Sequence, residues 1–231
     1  MRGGQHRRVN GKATGRATYS LGAVTGGRDD VRAPDFPCNA HARPDAVSGL
    51  MRAWTIQAPE ALAVLRSGSV WRADESRIEP AWIPAYRWMA REMRDRLGAP
   101  AARCQMPIWV WCQWRGVSRP RPDLRHRGHL PKGATGVLVE LELDGERILR
   151  SDFDLWHYAL NGWYLPKSLA DEREFEAHPD RRRIAPSWRR MFDLEWRNRR
   201  YTAARAAKSI QGVTWELRPQ DVRRSTSFVA R

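Results

Sequence analysis

Cysteine is scarce in this chain: Cys38, Cys104 and Cys112 are the only three, an odd number without metal-ligand spacing. That argues against a disulfide framework and for a reducing, cytoplasmic compartment. No run approaches the roughly 18 consecutive apolar residues that a membrane helix requires, and mean hydropathy is -0.68. The Arg- and Gly-rich N-terminus lacks the apolar stretch of a secretory signal. No Gly-rich phosphate loop, G-x-S-x-G elbow or H-E-x-x-H occurs, so triphosphatases, ordinary serine hydrolases and zincins lose their sequence support. Lysine is nearly missing as well. It stands only at positions 12, 132, 167 and 208, which leaves 37 of the 41 basic residues as Arg.

Tryptophan is absent from the first fifty positions, yet all 12 lie between Trp54 and Trp215. Residues 1–50 carry eight glycines and isolated apolar residues of no period, and such a stretch cannot repay the entropy of ordering. They read as a disordered or non-native N-terminal extension, translated from a misassigned upstream start, with a targeting arm as the rival. Residues 51–231 read as one compact α+β domain with a mixed or antiparallel sheet flanked by helices. Eight basic and four acidic residues precede Met51, so the formal charge falls only from +15 to +11 without them. Basicity of that size fits a nucleic-acid partner, because Lys and Arg on phosphates release counterions. Solubility or acidic partners account for it too, and the excess of Arg over Lys is also a mark of GC-rich coding.

Within the domain, residues 52–57 read as a short strand, and Pro59, Leu62, Leu65 and Gly68 as a helix with its start and stop. Pro84 opens a second helix whose Tyr86, Met89, Ala90, Met93 and Leu97 form one stripe, closed by Gly98. Residues 107–114, β-branched and aromatic with apolar groups on both faces, make a central strand. A long Arg-, Pro-, Gly- and His-rich loop runs to about Gly136, and loops of this length are functional or disordered. Alternation over 137–143 followed by Asp144-Gly145 predicts a hairpin, with Glu140 and Glu142 facing water. Ser151 or Asp152 caps a helix ending at Gly162; a further helix is expected from Ser187 to about Trp196. The last strand is expected over 210–217, with Gln211, Val213, Trp215 and Leu217 on one face.

The densest polar and aromatic run is residues 151–164. On a helix, Asp154, His157 and Asn161 share a face, and an Asp beside a His is what a general base needs. The plainer alternative is that an aspartate caps the helix while His157 bonds a backbone carbonyl. Asp123, His126 and His129 have no partner at metal-ligand spacing, and no metal site is assigned. Arg121 and Arg125 present fork-shaped donors suited to phosphate or carboxylate.

The segments at 52–57 (RAWTIQ), 107–111 (PIWVW), 121–125 (RPDLR), 151–158 (SDFDLWHY) and 210–217 (IQGVTWEL) together resemble the bacterial domain of unknown function 3841 family. The resemblance runs from Met51 to about Val229. It implies a domain beginning near Met51 and carries no activity. A second similarity is to the ADP-ribosyltransferase layout, through Trp54-Thr55, the helix at Pro59, and Gln211 or Glu216 near the last strand. The chain lacks that family's ordered Arg/His, Tyr and Glu set.

Two functions follow. One is a ligand binder or ADP-ribosyltransferase-like enzyme holding a nucleotide such as NAD in a Trp-lined cleft. Its catalytic candidates are Asp154, His157 and Gln211, and its ligand contacts Trp54, Thr55, Arg125, Asn161, Tyr164 and Trp215. The other is a non-enzymatic basic module for nucleic acid or protein. Convergence of Thr55, His157 and Gln211 on one pocket decides for the first.

Overall fold

The computed structural model describes residues 49–102 and 105–231. Residues 1–48, the bulk of the expected extension, and Cys104 lie outside the described residues. The chain runs β1 (Leu50–Gln57), α1 (Pro59–Arg66), β2 (Trp71–Arg72), α2 (Ile83–Leu97), β3 (Ile108–Gln113), β4 (Thr135–Asp144) and β5 (Leu149–Asp152). It continues with α3 (Phe153–Leu160), α4 (Leu169–Ala177), α5 (Ile184–Ser187), β6 (Ile210–Thr214), β7 (Glu216–Leu217) and β8 (Val222–Val229). Six strands form one sheet in the order β5-β6-β3-β1-β4-β8, with every neighbouring pair antiparallel. β2 and β7 pair separately. The fold is α+β, and no helix among the described residues is long and apolar enough to cross a membrane.

Period-two alternation assigns the strand residues to two faces. Ala53, Ile108, Val110, Val139 and Leu141 point to one face, which α1 covers with Ala61, Leu62 and Leu65. Pro59 supplies a helix start that needs no N–H, and Gly68 takes a φ of +83° just past the end. Trp54, Trp109, Trp111, Gln211 and Val213 point to the other face. There α2 lays down Tyr86, Met89 and Met93, α3 lays down Leu155 and Trp156, and a 3-10 turn at Trp188–Phe192 completes the layer. Gly98, at φ +90°, stops α2, as its place after the apolar stripe leads one to expect.

Close packing on the first face constrains β6. A Cβ on Gly212 would stand 2.3 Å from Ile148 Cγ2 and 3.2 Å from Cys112 Sγ. Gly212→Ala is therefore expected to lower stability by about 1–3 kcal/mol, as overpacking does, and denaturant unfolding measures it.

Three expectations are corrected. β4 does not form a hairpin with β5: Asp144 accepts a hydrogen bond from the Glu146 N–H and starts a 3-10 turn, which carries the chain to β5 at the opposite edge. The helix from Ser187 to Trp196 is α5 followed by the 3-10 turn, because the Asp193 carboxylate accepts from the Glu195 and Trp196 N–H groups and ends it. The last strand breaks at Trp215. Gln211 and Val213 share a face as expected, while Leu217 pairs with Trp71 and packs with the opposite cluster.

Candidate functional site

Strand register sets a polar residue among tryptophans. Gln211 on β6 lies opposite Trp111 on β3, and Trp111 lies opposite Trp54 on β1. Trp109, two residues earlier, belongs to the same face. Its ring packs edge-on to Tyr86 at 6.0 Å and against Trp156 at 4.7 Å, and Trp111 is held by Trp114 at 4.4 Å and Phe153 at 4.8 Å. The two indoles are thus braced from α2, α3 and the loop after β3.

Above them opens a cleft of about 170 Å³. Ile56, Trp109, Trp111 and Gln211 contribute to its floor. Trp82 and Tyr86, at the start of α2, wall one side; His129 and Leu130, at the end of the long loop, wall another. Asp74, Arg77 and Glu79 border it as well. Arg77 lies over the Trp71 ring at 4.5 Å, and Asp74 caps its own turn by accepting from the Ser76 N–H. His129 is buried, with Nε2 3.0 Å from the Asp123 carbonyl. Burial pushes its pKa below the usual histidine value, which favours the neutral ring.

Two buried side-chain polar atoms of cleft residues have no hydrogen-bond partner among the described residues: Gln211 Oε1 and Trp109 Nε1. Gln211 is only 3% exposed. A buried donor or acceptor left unmade costs about 1–3 kcal/mol, so such atoms require an explanation. Other unpartnered buried atoms, such as Ser151 Oγ and Trp54 Nε1, belong to residues that do not line the cleft.

Of the catalytic and ligand-contact candidates assigned from sequence, Gln211 alone lines this cleft, so the expected convergence of Thr55, His157 and Gln211 on one pocket is not met. Thr55 is fully buried and acts beneath it, donating from Oγ1 to the Trp109 carbonyl at 2.8 Å while accepting from Gln57 Nε2. Trp54 is buried beside Trp111 and Trp114. Trp215 is core, its indole donating to the Gly98 carbonyl. Tyr164 stacks on Phe175 and donates to Asp171. Asn161 follows α3 and donates to the His157 carbonyl. Arg125 is exposed and chelates Asp123, whose carboxyl it holds well below the usual range.

Asp154 and His157 make no hydrogen bond to each other among the described residues. His157 Nδ1 sits 2.9 Å from the Phe153 carbonyl, and it is Asp152 that caps α3, accepting from the Asp154 and Leu155 N–H groups. Asp154 keeps access to solvent but is crowded on its flanks. That desolvation, with Asp152 beside it, raises its pKa above the usual carboxylate value. Because the folded value exceeds the unfolded one, the ionised carboxylate opposes folding above its folded pKa, and the cost vanishes below the unfolded pKa. Asp154→Asn is therefore expected to raise the thermal midpoint at neutral pH and to leave it unchanged below the carboxylate range, a comparison calorimetry makes directly.

The Cys112 thiol is pushed up to about 12 by burial, so it is no nucleophile at neutral pH. Among the described residues no group of three His, Cys, Asp or Glu side chains is placed to hold a metal.

A family model described as domain of unknown function (DUF3841) matches residues 52–181, more than half of the chain. The chain belongs to the DUF3841 family. Comparison with curated proteins and with solved structures gave no match. The ADP-ribosyltransferase layout thus finds no support, and its two polar markers separate, Thr55 beneath the sheet face and Gln211 in the cleft. Within the DUF3841 segment lie Trp82, Tyr86, Trp109, Trp111 and His129. Gln211 comes from β6, beyond it.

Sequence reasoning passed over Trp109, Trp111, Trp82 and Tyr86 as site residues. The signal for the first two was present: two tryptophans two apart in a central strand must share a face.

Proposed function

We propose that this DUF3841 domain binds a planar nitrogen heterocycle of the nucleobase type in the Trp109–Gln211 cleft. The observation that carries the reading is the buried, unpartnered side-chain oxygen of Gln211, opposite Trp111 in a cleft that Trp82, Trp109 and Trp111 help to line. A primary amide offers an acceptor and a donor in one plane, the pattern that pairs with the edge of a base. The Trp109 indole N–H adds a second donor. Aromatic walls supply stacking, worth about 1–3 kcal/mol per base.

Size limits what enters. Pockets for drug-sized ligands run to about 300–1,000 Å³, so a cleft of about 170 Å³ admits one ring system. A nucleotide, NAD included, would bury one ring here and leave its sugar and phosphates outside.

Titrating the full chain with nucleosides and mononucleotides, read by tryptophan fluorescence and by thermal shift, tests the reading. Quenching with saturation, together with a raised midpoint, is expected, since a ligand bound only to the native state stabilises it. Failure of all the common bases to quench or stabilise would overturn it.

A further inference from the structure

The arginines of the loop after β3 remain to be accounted for, and the same loop helps to line the cleft. Arg115, Arg119, Arg121, Arg125 and Arg127 are all exposed, with Asp123 the only acidic residue between them. Asp123 is occupied by Arg125. Arg119, Arg121 and Arg127 have no ion pair among the described residues. Two residues after Arg127 the same loop supplies His129 and Leu130 to the cleft wall.

This loop is tied down. The Trp114 N–H donates to the Pro120 carbonyl and the Arg115 N–H to the Arg119 carbonyl, while Gly116 and Val117 donate to Lys208 and Ala206. Gly116 holds a φ of +76°, and a Cβ there would stand 2.7 Å from the Ala206 oxygen, so the strap fits only glycine. Arg115 and Arg119 are therefore presented from a fixed backbone, and further along the loop the His126 N–H and the His129 ring both bond the Asp123 carbonyl. The lining contributed by the segment before α2 is mixed in charge, with Arg77 between Asp74 and Glu79 in sequence. A phosphate there would meet carboxylates as well as Arg77, whereas the loop offers Arg119, Arg121 and Arg127 without ion pairs among the described residues.

We infer that the natural ligand is a single-stranded polynucleotide, one base inserted in the Trp109–Gln211 cleft and its flanking phosphates lying along Arg119, Arg121 and Arg127. This inference rests on the base-binding reading and extends it from base to chain. A duplex is excluded because the cleft takes an unpaired base, whose edge must be free for Gln211. Binding comes from stacking plus phosphate contacts, so it tolerates sequence and depends on salt.

The test is fluorescence anisotropy of the full chain with a short labelled oligonucleotide, as single-stranded DNA, single-stranded RNA and duplex, between about 50 and 200 mM salt. Each phosphate contact on a single strand contributes about -0.7 to the slope of log affinity against log salt. Replacing Arg119, Arg121 and Arg127 together by Gln should flatten that slope by about 2. The same variant should leave mononucleoside binding unchanged, whereas Gln211→Leu should weaken both ligands. DNA and RNA arms of equal affinity mean that the 2′-hydroxyl is not read, and a difference shows that it is; either accords with the inference.

Wild-type slope and affinity in the triple variant would overturn the inference, as would a duplex binding as tightly as the single strand. Oligonucleotides binding no better than nucleosides would sink it while leaving the base site standing. If nucleosides fail to bind at all, the base-binding reading falls first.

Discussion

Asp152→Ala is expected to be the most damaging single substitution in this fold. Asp152 and Lys208 form a fully enclosed ion pair, Oδ2 to Nζ at 3.0 Å, both side chains at 0% exposure. The carboxylate also caps α3 and accepts from Thr202 Oγ1, and the ammonium also donates to the Trp196 carbonyl. Removing the carboxylate strands a buried cation, which costs about 3–5 kcal/mol, and removes a helix cap worth about 1 kcal/mol more. Net stabilities are only about 5–15 kcal/mol, so much of the margin disappears. At roughly 2–4 °C per kcal/mol for a domain of this size, the thermal midpoint should fall on the order of 10 °C. The double variant Asp152→Ala with Lys208→Met should recover a large part of the loss, because no charge is then left alone. A double variant as unstable as the two single losses added together would show that the ion pair is not the coupling element.

Gln211→Leu carries the opposite signature. Its side-chain oxygen is buried without a protein partner, so an apolar group of similar shape removes a desolvation cost of about 1–3 kcal/mol. The variant should therefore unfold at the same or a higher temperature than the parent. Ligand affinity should drop about 10- to 100-fold, the equivalent of about 1.4–2.8 kcal/mol of lost hydrogen bonding. Gains in stability paired with losses in binding mark a residue kept for function. A clear loss of stability in Gln211→Leu would instead mean that the amide serves the core. Trp109→Ala discriminates less well, because its contacts with Trp156 and Tyr86 make structural damage certain.

The elements that sequence made legible are those whose stop signals and periods agree. α2 is read correctly because Tyr86, Met89, Ala90 and Met93 share a stripe between a proline and a glycine at positive φ. β3 is read as central because β-branched and aromatic residues occupy both of its faces. Illegible elements fall into two kinds. β8 was missed because this edge strand carries an unbroken polar run, Arg223 to Ser227, in place of an apolar alternation, and sequence cannot say that β4 needs a partner. The Asp144-Gly145 turn was misread because a local hairpin signal does not know which strand edge is vacant.

The candidate site was legible in part. Gln211 and the Trp-lined character of the pocket could be read from composition, and the opposition of Gln211 to Trp111 is a consequence of register alone. Closure of the cleft by Trp82 and His129, 47 positions apart by number, is a tertiary fact. For Asp154 and His157 the plainer of the two readings holds: helical spacing puts them on neighbouring turns, but Asp152 caps the helix and a backbone carbonyl takes the imidazole.

The indole N–H signals of the 12 tryptophans, followed by two-dimensional NMR during a nucleoside titration, test the central claim most directly. With the Trp109 signal assigned through Trp109→Phe, it should move most, and those of Trp82 and Trp111 should move with it. The signals of Trp188 and Trp215, whose N–H groups already donate to the Trp163 and Gly98 carbonyls, should stay in place. A saturating nucleoside that leaves the Trp109 signal unmoved, or shifts only Trp188 and Trp215, would contradict a base-binding cleft at Gln211.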